Sequence, residues 1–290
     1  MVEMNGKLLR EELLTSLKEK VNGLDETLGL CVIQVGNDEA SNVYVHQKEK
    51  LALEMGYKFI HKVFPSDVSQ DELLEFIDLV NDDETIDGIL VQMPLPSHLD
   101  ETTIQNRVSV CKDVDGLSYL NAGKLNHNVD ALVPCTPKGI IDMLDYFNIP
   151  LEGKNAVVIG RSVLVGKPIA SLLTNRNATV TICHSKTVNI ENYIRNADII
   201  VVAIGKAGFL TKDMVKEGAV VVDVGINRID GKLYGDVKYD EVKDVASYIT
   251  PVPGGVGPMT VYELMANVYE AHGLRTKKKI DENERKLIKK

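Results

Sequence analysis

Tyr44 and Lys48 stand four residues apart in a stretch with helical periodicity, so their side chains share one face. Ser41 lies one turn earlier on the same side. A lysine ammonium can hold or deliver a proton, and a neighbouring phenol can orient it. How well it does so depends on burial and on nearby charge, which set its pKa. The same spacing also describes a solvent-facing polar stripe, so the pair carries no assignment by itself.

A second group of residues suits phosphate. The run Val157-Val158-Ile159-Gly160-Arg161-Ser162-Val163-Leu164-Val165-Gly166-Lys167-Pro168 reads as a buried strand, a tight turn and a restarting helix. Backbone amides and a helix N-terminus in that setting can hold a pyrophosphate. The usual three-glycine fingerprint is incomplete here, because Ser162 and Val165 occupy two of its positions. An ordinary strand and turn would look similar. No Asp or Glu occurs between Asn155 and Glu191. An NAD site would place an acid near the end of the next strand, to accept from the ribose 2′-hydroxyl. That strand runs instead into His184-Ser185-Lys186-Thr187, and Arg161 sits in the turn. Cations and hydroxyls suit a 2′-phosphate, so the expected cofactor is NADP. The Tyr-x-x-x-Lys pair of short-chain dehydrogenases follows the nucleotide turn. Here it precedes the turn by more than a hundred residues, which removes that reading.

Three further segments carry polar groups at turns. Asp87 to Pro96 ends a strand with Gln92 before two prolines, Lys112 to Leu117 sets Asp115 in a tight turn, and Pro251 to Thr260 is rich in proline and glycine. Each is compatible with plain turn chemistry. Strand ends and loops are also where sites gather.

The elements that must hold these residues alternate strand and helix. Helices are expected at Leu8–Lys20, Glu39–Met55, Gln70–Val80, Pro137–Tyr146 and Pro258–His272. Strands are expected at Leu28–Val35, Lys58–Phe64, Gly88–Gln92, Ala156–Ile159, Ala178–Cys183, Asp198–Ile204 and Ala219–Val224. This rhythm predicts an α/β chain with mostly parallel sheets. The length of 290 residues suits two domains. The net charge of −9 argues against a nucleic-acid partner. Residues 275–290 reverse the sign, with eight Lys and Arg against three acids, and read as a solvated basic tail. Four scattered cysteines suggest neither a metal site nor a disulfide frame. No apolar run approaches a membrane span and Met1 to Lys7 lack a signal core, so a cytoplasmic chain without a membrane partner is expected.

Seven segments, in order along the chain, together resemble the bifunctional methylenetetrahydrofolate dehydrogenase/methenyltetrahydrofolate cyclohydrolase family. They are Tyr-Val-His-Gln-Lys (44–48), Val-Gln-Met-Pro-Leu-Pro (91–96), Lys-Asp-Val-Asp-Gly (112–116), Pro-Cys-Thr-Pro-Lys-Gly (134–139), Gly-Arg-Ser-x-x-Val-Gly (160–166), His-Ser-Lys-Thr (184–187) and Pro-Gly-Gly-Val-Gly-Pro-Met-Thr (253–260). The departures are small: Met93 stands where Leu is common, and Lys186 where Arg is common. The resemblance implies an N-terminal α/β folate-binding domain (1–136), completed by a returning C-terminal helix (258–274), and a Rossmann-type NADP domain (137–257). It implies oxidation of 5,10-methylenetetrahydrofolate with NADP, then hydrolysis to 10-formyltetrahydrofolate, by a homodimer acting on a folate substrate. It carries over Lys48 as the group that moves protons, with Tyr44 packing on the folate, Gln92 holding Lys48 and Asp115 accepting from the pterin. Gly254 and Gly255 would let the backbone approach the substrate. NADP would lie on Gly160, Arg161, Ser162, Gly166, Ser185 and Ile226.

Overall fold

The computed structural model describes residues 1–288, with Ala40 and residues 278–288 described by their backbone alone. In chain order the strands are β1 (Val2–Glu3), β2 (Gly29–Val35), β3 (Lys58–Phe64), β4 (Gly88–Val91), β5 (Asn155–Ile159), β6 (Thr179–Cys183), β7 (Ile199–Val202), β8 (Val220–Asp223), β9 (Asn227–Ile229), β10 (Lys232–Tyr234) and β11 (Tyr248–Ile249). The helices are α1 (Gly6–Asn22), α2 (Glu39–Glu54), α3 (Gln70–Asp82), α4 (Glu101–Arg107), α5 (Tyr119–Asn126), α6 (Cys135–Tyr146), α7 (Gly166–Asn175), α8 (Glu191–Ile194), α9 (Tyr239–Val242) and α10 (Val256–Ile288).

The chain divides into two compact units. One comprises Thr15–Lys124, Asp130–Val133 and the residues from Leu264 onward. Its sheet is parallel, in the order β3-β2-β4. β2 and β4 are buried on both faces, which is why they read as unbroken apolar runs. Cys31, Ile33, Leu73, Ile77, Ile89 and Ile104 build one side of its core. Beyond β4 the sheet edge is extended by the loop 112–116, where Ile89 N donates to Lys112 O at 2.7 Å. Gly88 permits this approach, since a Cβ there would lie 2.6 Å from a Val114 methyl.

The other unit comprises Met1–Leu14, Leu125–Val129 and Pro134–Glu263. Its six strands run parallel in the order β1-β11-β8-β7-β5-β6. β5 is followed in sequence by β6 on one side and then by β7 on the other, so the order reverses at β5. The C-terminal end of such a reversal is where doubly wound sheets bind ligands. β1 pairs with β11, so the first residues belong to this sheet rather than to the 1–136 block expected for them. A two-residue strand has no periodicity to betray it, and only its pairing defines it.

The final helix starts at Val256, two residues before its expected start, and continues to Ile288. It contributes residues through Glu263 to the six-stranded unit and residues from Leu264 to the other. Arg275, counted with the basic tail, is buried, and its guanidinium donates to Asp87 Oδ1 at 2.7 and 3.1 Å. Of the rest of the expected solvated tail, Thr276 and Lys277 are exposed, and the side chains from residue 278 onward lie outside the described ones. Among the described residues no helix is long and apolar enough to cross a membrane.

Candidate active site

α2 begins where the Asp38 side chain accepts from Ser41 N at 2.8 Å, satisfying one of the orphan amides of the first turn. This cap sets the phase of the helix. Ser41, expected beside Tyr44 and Lys48, is buried, with its hydroxyl 3.5 Å from the Met93 carbonyl. Tyr44 is 48% exposed. Lys48 is half-buried, and its Nζ donates to Gln92 Oε1 at 2.8 Å. Gln92 directly follows β4, and its backbone N donates to Ile33 O. Its Nε2 donates to Met93 O at 2.7 Å, so the amide is oriented with its oxygen toward the lysine. A short charge-assisted bond thus ties the helix to the strand end.

The loop 112–116 holds two aspartates with different tasks. Asp113 organises the backbone, accepting from Leu117 N, Ser118 N and Asn121 Nδ2. Lys112 is buried and donates to Val80 O and Asp83 O, and its burial lowers its pKa. Asn267 of α10 donates to Val114 O, and Val114 is itself in the core. Asp115 is the half-buried carboxylate of the loop. Burial pushes it up to about 6, against the pull of the Lys48 charge and with a smaller push from Asp113. Asp113 caps the local backbone of this loop. Lys48, Gln92 and Asp115 form one electrostatically coupled cluster from three separate segments.

The phosphate-type residues lie in the other unit, at the C-terminal edge of its sheet. Gly160 follows β5 with φ +123°, and a Cβ there would run into the Ala203 carbonyl. A Cβ on Gly166 would run into Gly160 O. Both glycines are thus required by the tightness of the turn, which leaves bare backbone at its surface. Ser162 Oγ accepts from Val165 N and Gly166 N, the amides that lead into α7. Arg161 is exposed. β6 pairs in register with β5, and Gly160 N donates to Cys183 O, which brings the 184–187 turn beside Gly160. That turn is closed by His184 N donating to Thr187 Oγ1 and Thr187 N donating to His184 O, and it leaves Ser185 exposed. Ile226, exposed, follows β8 on the same edge. These residues, an acid-free stretch and a helix N-terminus fit a dinucleotide with a 2′-phosphate.

In the 251–260 loop, Gly254 adopts φ +104° with open space around its Cβ position. Gly255 differs, because a Cβ there would crowd Pro251 O at 2.5 Å and Thr250 Cβ at 2.8 Å. Its bareness is thus demanded by its own loop.

Sequence reasoning missed a network of buried carboxylates, Asp223 and Asp236, that ties the loops of this edge together. Isolated aspartates near turns give no periodic or motif signal. It also missed the β9–β10 hairpin, although Asp230-Gly231 is a strong two-residue turn signal and both residues have positive φ.

Residues 4–115 match the model of the tetrahydrofolate dehydrogenase/cyclohydrolase catalytic domain, and residues 134–276 match that of the family's NAD(P)-binding domain. The bifunctional protein FolD of Halalkalibacterium halodurans is 49% identical over 273 residues, covering 93% of this chain and 98% of that protein. The structure of the bifunctional enzyme FolD, a methylenetetrahydrofolate dehydrogenase/cyclohydrolase from Campylobacter jejuni, aligns with a TM-score of 0.93 at 45% identity, over 95% of this chain and 99% of that one. The Trypanosoma brucei enzyme, solved with NADP cofactor and an inhibitor, aligns with a TM-score of 0.90 at 34% identity, over 95% and 98% of the two chains. This chain belongs to the tetrahydrofolate dehydrogenase/cyclohydrolase family.

Proposed function

We propose that this chain oxidises 5,10-methylenetetrahydrofolate with NADP and hydrolyses the resulting 5,10-methenyl cation to 10-formyltetrahydrofolate, in one-carbon metabolism. The observation that carries the reading is the Lys48 ammonium bonded to Gln92 Oε1 and coupled to the raised Asp115 carboxylate. NADP, when bound, supplies the hydride acceptor. Gly160, Gly166 and Ser162 shape its seat, while Arg161 and Ser185 meet the 2′-phosphate and Ile226 meets the dinucleotide from the end of β8. Oxidation needs mainly alignment of two bound molecules, so positioning carries it.

Hydrolysis needs a group that moves protons. Lys48 does this, as an amine held in place by its bond to Gln92. Gln92 accepts from Nζ and keeps the amine aimed. Tyr44 packs its exposed ring on the folate. Asp115 accepts from pterin N–H groups, an ionised acceptor against donors. Gly254 lets the backbone pass close to the substrate, and Gly255 holds the loop in that course.

The same reading makes the protein a cytoplasmic homodimer whose partner is the folate, with neither nucleic acid nor membrane bound. The net charge of −9 supports the exclusion of nucleic acid. Sedimentation should give twice the chain mass of 32.0 kDa, and a monomer mass would remove the dimer. The activity is tested by following methenyl absorbance with methylenetetrahydrofolate and either NADP or NAD. Methenyl should appear with NADP and then decay to the formyl product. No methenyl formation would overturn the reading, and equal rates with NAD would overturn the cofactor choice.

A further inference from the structure

Asp236 is 0% exposed and follows the β9–β10 hairpin, far in sequence from the Gly160 turn. Its carboxylate collects four donors. Oδ2 accepts from Ile204 N at 2.8 Å and Gly205 N at 3.0 Å, and Oδ1 accepts from Lys206 N at 2.7 Å and Asn227 Nδ2 at 2.9 Å. Three of these donors are consecutive amides of the loop after β7, and the fourth belongs to the residue after Ile226. The loop after β7 is the one that lies against the nucleotide turn, since Ala203 N donates to Ile159 O and the Ala203 carbonyl is what forbids a side chain at Gly160.

Asp236 is in turn held by Asp223 at the end of β8. Asp223 Oδ1 accepts from Asp236 N and Gly225 N, and Oδ2 accepts from Val237 N, each at 2.9 Å. Asp223 N donates to Thr250 Oγ1 at 2.7 Å. Gly225 and Gly235 lack side chains where any Cβ would collide with these carboxylates. The two acids thus bind one loop to the other at the C-terminal ends of β7 and β8.

We propose that Asp236 is a positioning residue for the dinucleotide: its carboxylate fixes the 204–206 amides and Asn227, and with them the loops that follow β7 and β8. The chemistry requires an anion that only accepts. An amide in its place would turn an N–H₂ toward backbone N–H donors and leave part of the network unmade. This inference rests on the NADP reading given above.

The test is the pair Asp236→Asn and Asn227→Ala, with NADP binding measured by calorimetry and cyclohydrolase turnover measured on methenyltetrahydrofolate without NADP. Asp236→Asn should raise the NADP dissociation constant by about tenfold or more, the equivalent of one lost charge-assisted bond. Asn227→Ala removes a single donor and should raise it by roughly three- to fivefold. Cyclohydrolase kcat/KM should stay within about twofold in both, because Lys48, Gln92 and Asp115 lie in the other unit. Unchanged NADP affinity in folded Asp236→Asn, or equal loss of binding and cyclohydrolase turnover, overturns the proposal. Should Asp236→Asn not fold, unchanged affinity in Asn227→Ala overturns it. A wild-type protein that binds NADP yet does not oxidise methylenetetrahydrofolate would instead overturn the assigned activity and leave this role standing.

Discussion

The Lys48 cluster and the Gly160 turn solve different problems with different materials. The cluster uses side chains: an ammonium, an amide and a carboxylate from three segments, half-buried, with one carboxyl displaced to about 6. The turn uses backbone: two glycines whose missing side chains allow a tight strand-to-helix passage, with Arg161 and Ser185 exposed at its margin. A group that moves protons needs its pKa adjusted, which takes burial and charge. A surface that seats a dinucleotide needs shape and a few placed donors. The contrast implies that substitutions in the first region change chemistry, and substitutions in the second change affinity.

The largest expected effect is at Lys48. Lys48→Met keeps the aliphatic stem and removes the proposed proton-transfer group, so cyclohydrolase kcat should fall about a hundred- to ten-thousandfold. Melting temperature and NADP affinity should be nearly unchanged. Full cyclohydrolase turnover in this variant would break the distinction between the two regions.

Asp115→Asn comes next. The shape is kept, but an ionised acceptor becomes a mixed donor and acceptor, so kcat/KM of both activities should fall roughly ten- to a hundredfold with NADP binding intact. The pH dependence sharpens this. The bound-state acceptor must be ionised, and its raised pKa means that protonation begins as pH falls through about 6. Below that point kcat/KM for folate should drop about tenfold per pH unit, and the variant should lose this limb. A normal kinetic profile with a lowered melting temperature would make Asp115 a structural residue, alongside Asp113.

Arg161→Ala probes the second region. KM for NADP should rise roughly tenfold, with NAD and cyclohydrolase turnover little affected. An equal rise for both nucleotides would mean that Arg161 shapes the turn without reading the 2′-phosphate.

The smallest catalytic effect is expected at Glu263. Its carboxyl is 0% exposed, 3.3 Å from Lys138 Nζ, and burial pushes it up to about 9, further than Asp115. A raised acid keeps its proton in the folded state after the unfolded chain has lost it. Stability is therefore fullest below the ordinary value of 4.5 and is lost as pH rises toward 9. Glu263→Gln should flatten that decline in melting temperature, with kcat/KM of both activities within about twofold. Loss of activity in this variant would show that a displaced pKa marks function here at a residue outside the Lys48 cluster too.

The long elements were legible in sequence because their periodicity is strong. β3 matches its expected bounds, and α2 ends one residue before Met55. The shared face of Tyr44 and Lys48 follows from helix geometry alone. The turn at Gly160, the acid-free stretch behind it and the order of the seven segments are likewise properties of the chain itself. The partner of Lys48 is different in kind. Gln92 lies 44 residues away, and their bond exists because β2 and β4 pair in register and α2 follows β2. The division of labour between Asp113 and Asp115 depends on which one meets the Ser118 and Asn121 donors. The displaced carboxyl of Asp115 depends on how far its loop is desolvated, and β1 exists only through β11. Local sequence determines what each residue can do, because propensity and spacing act over a few positions. Tertiary structure decided which of them would act together, because burial, pairing and charge are set by residues far apart in the chain.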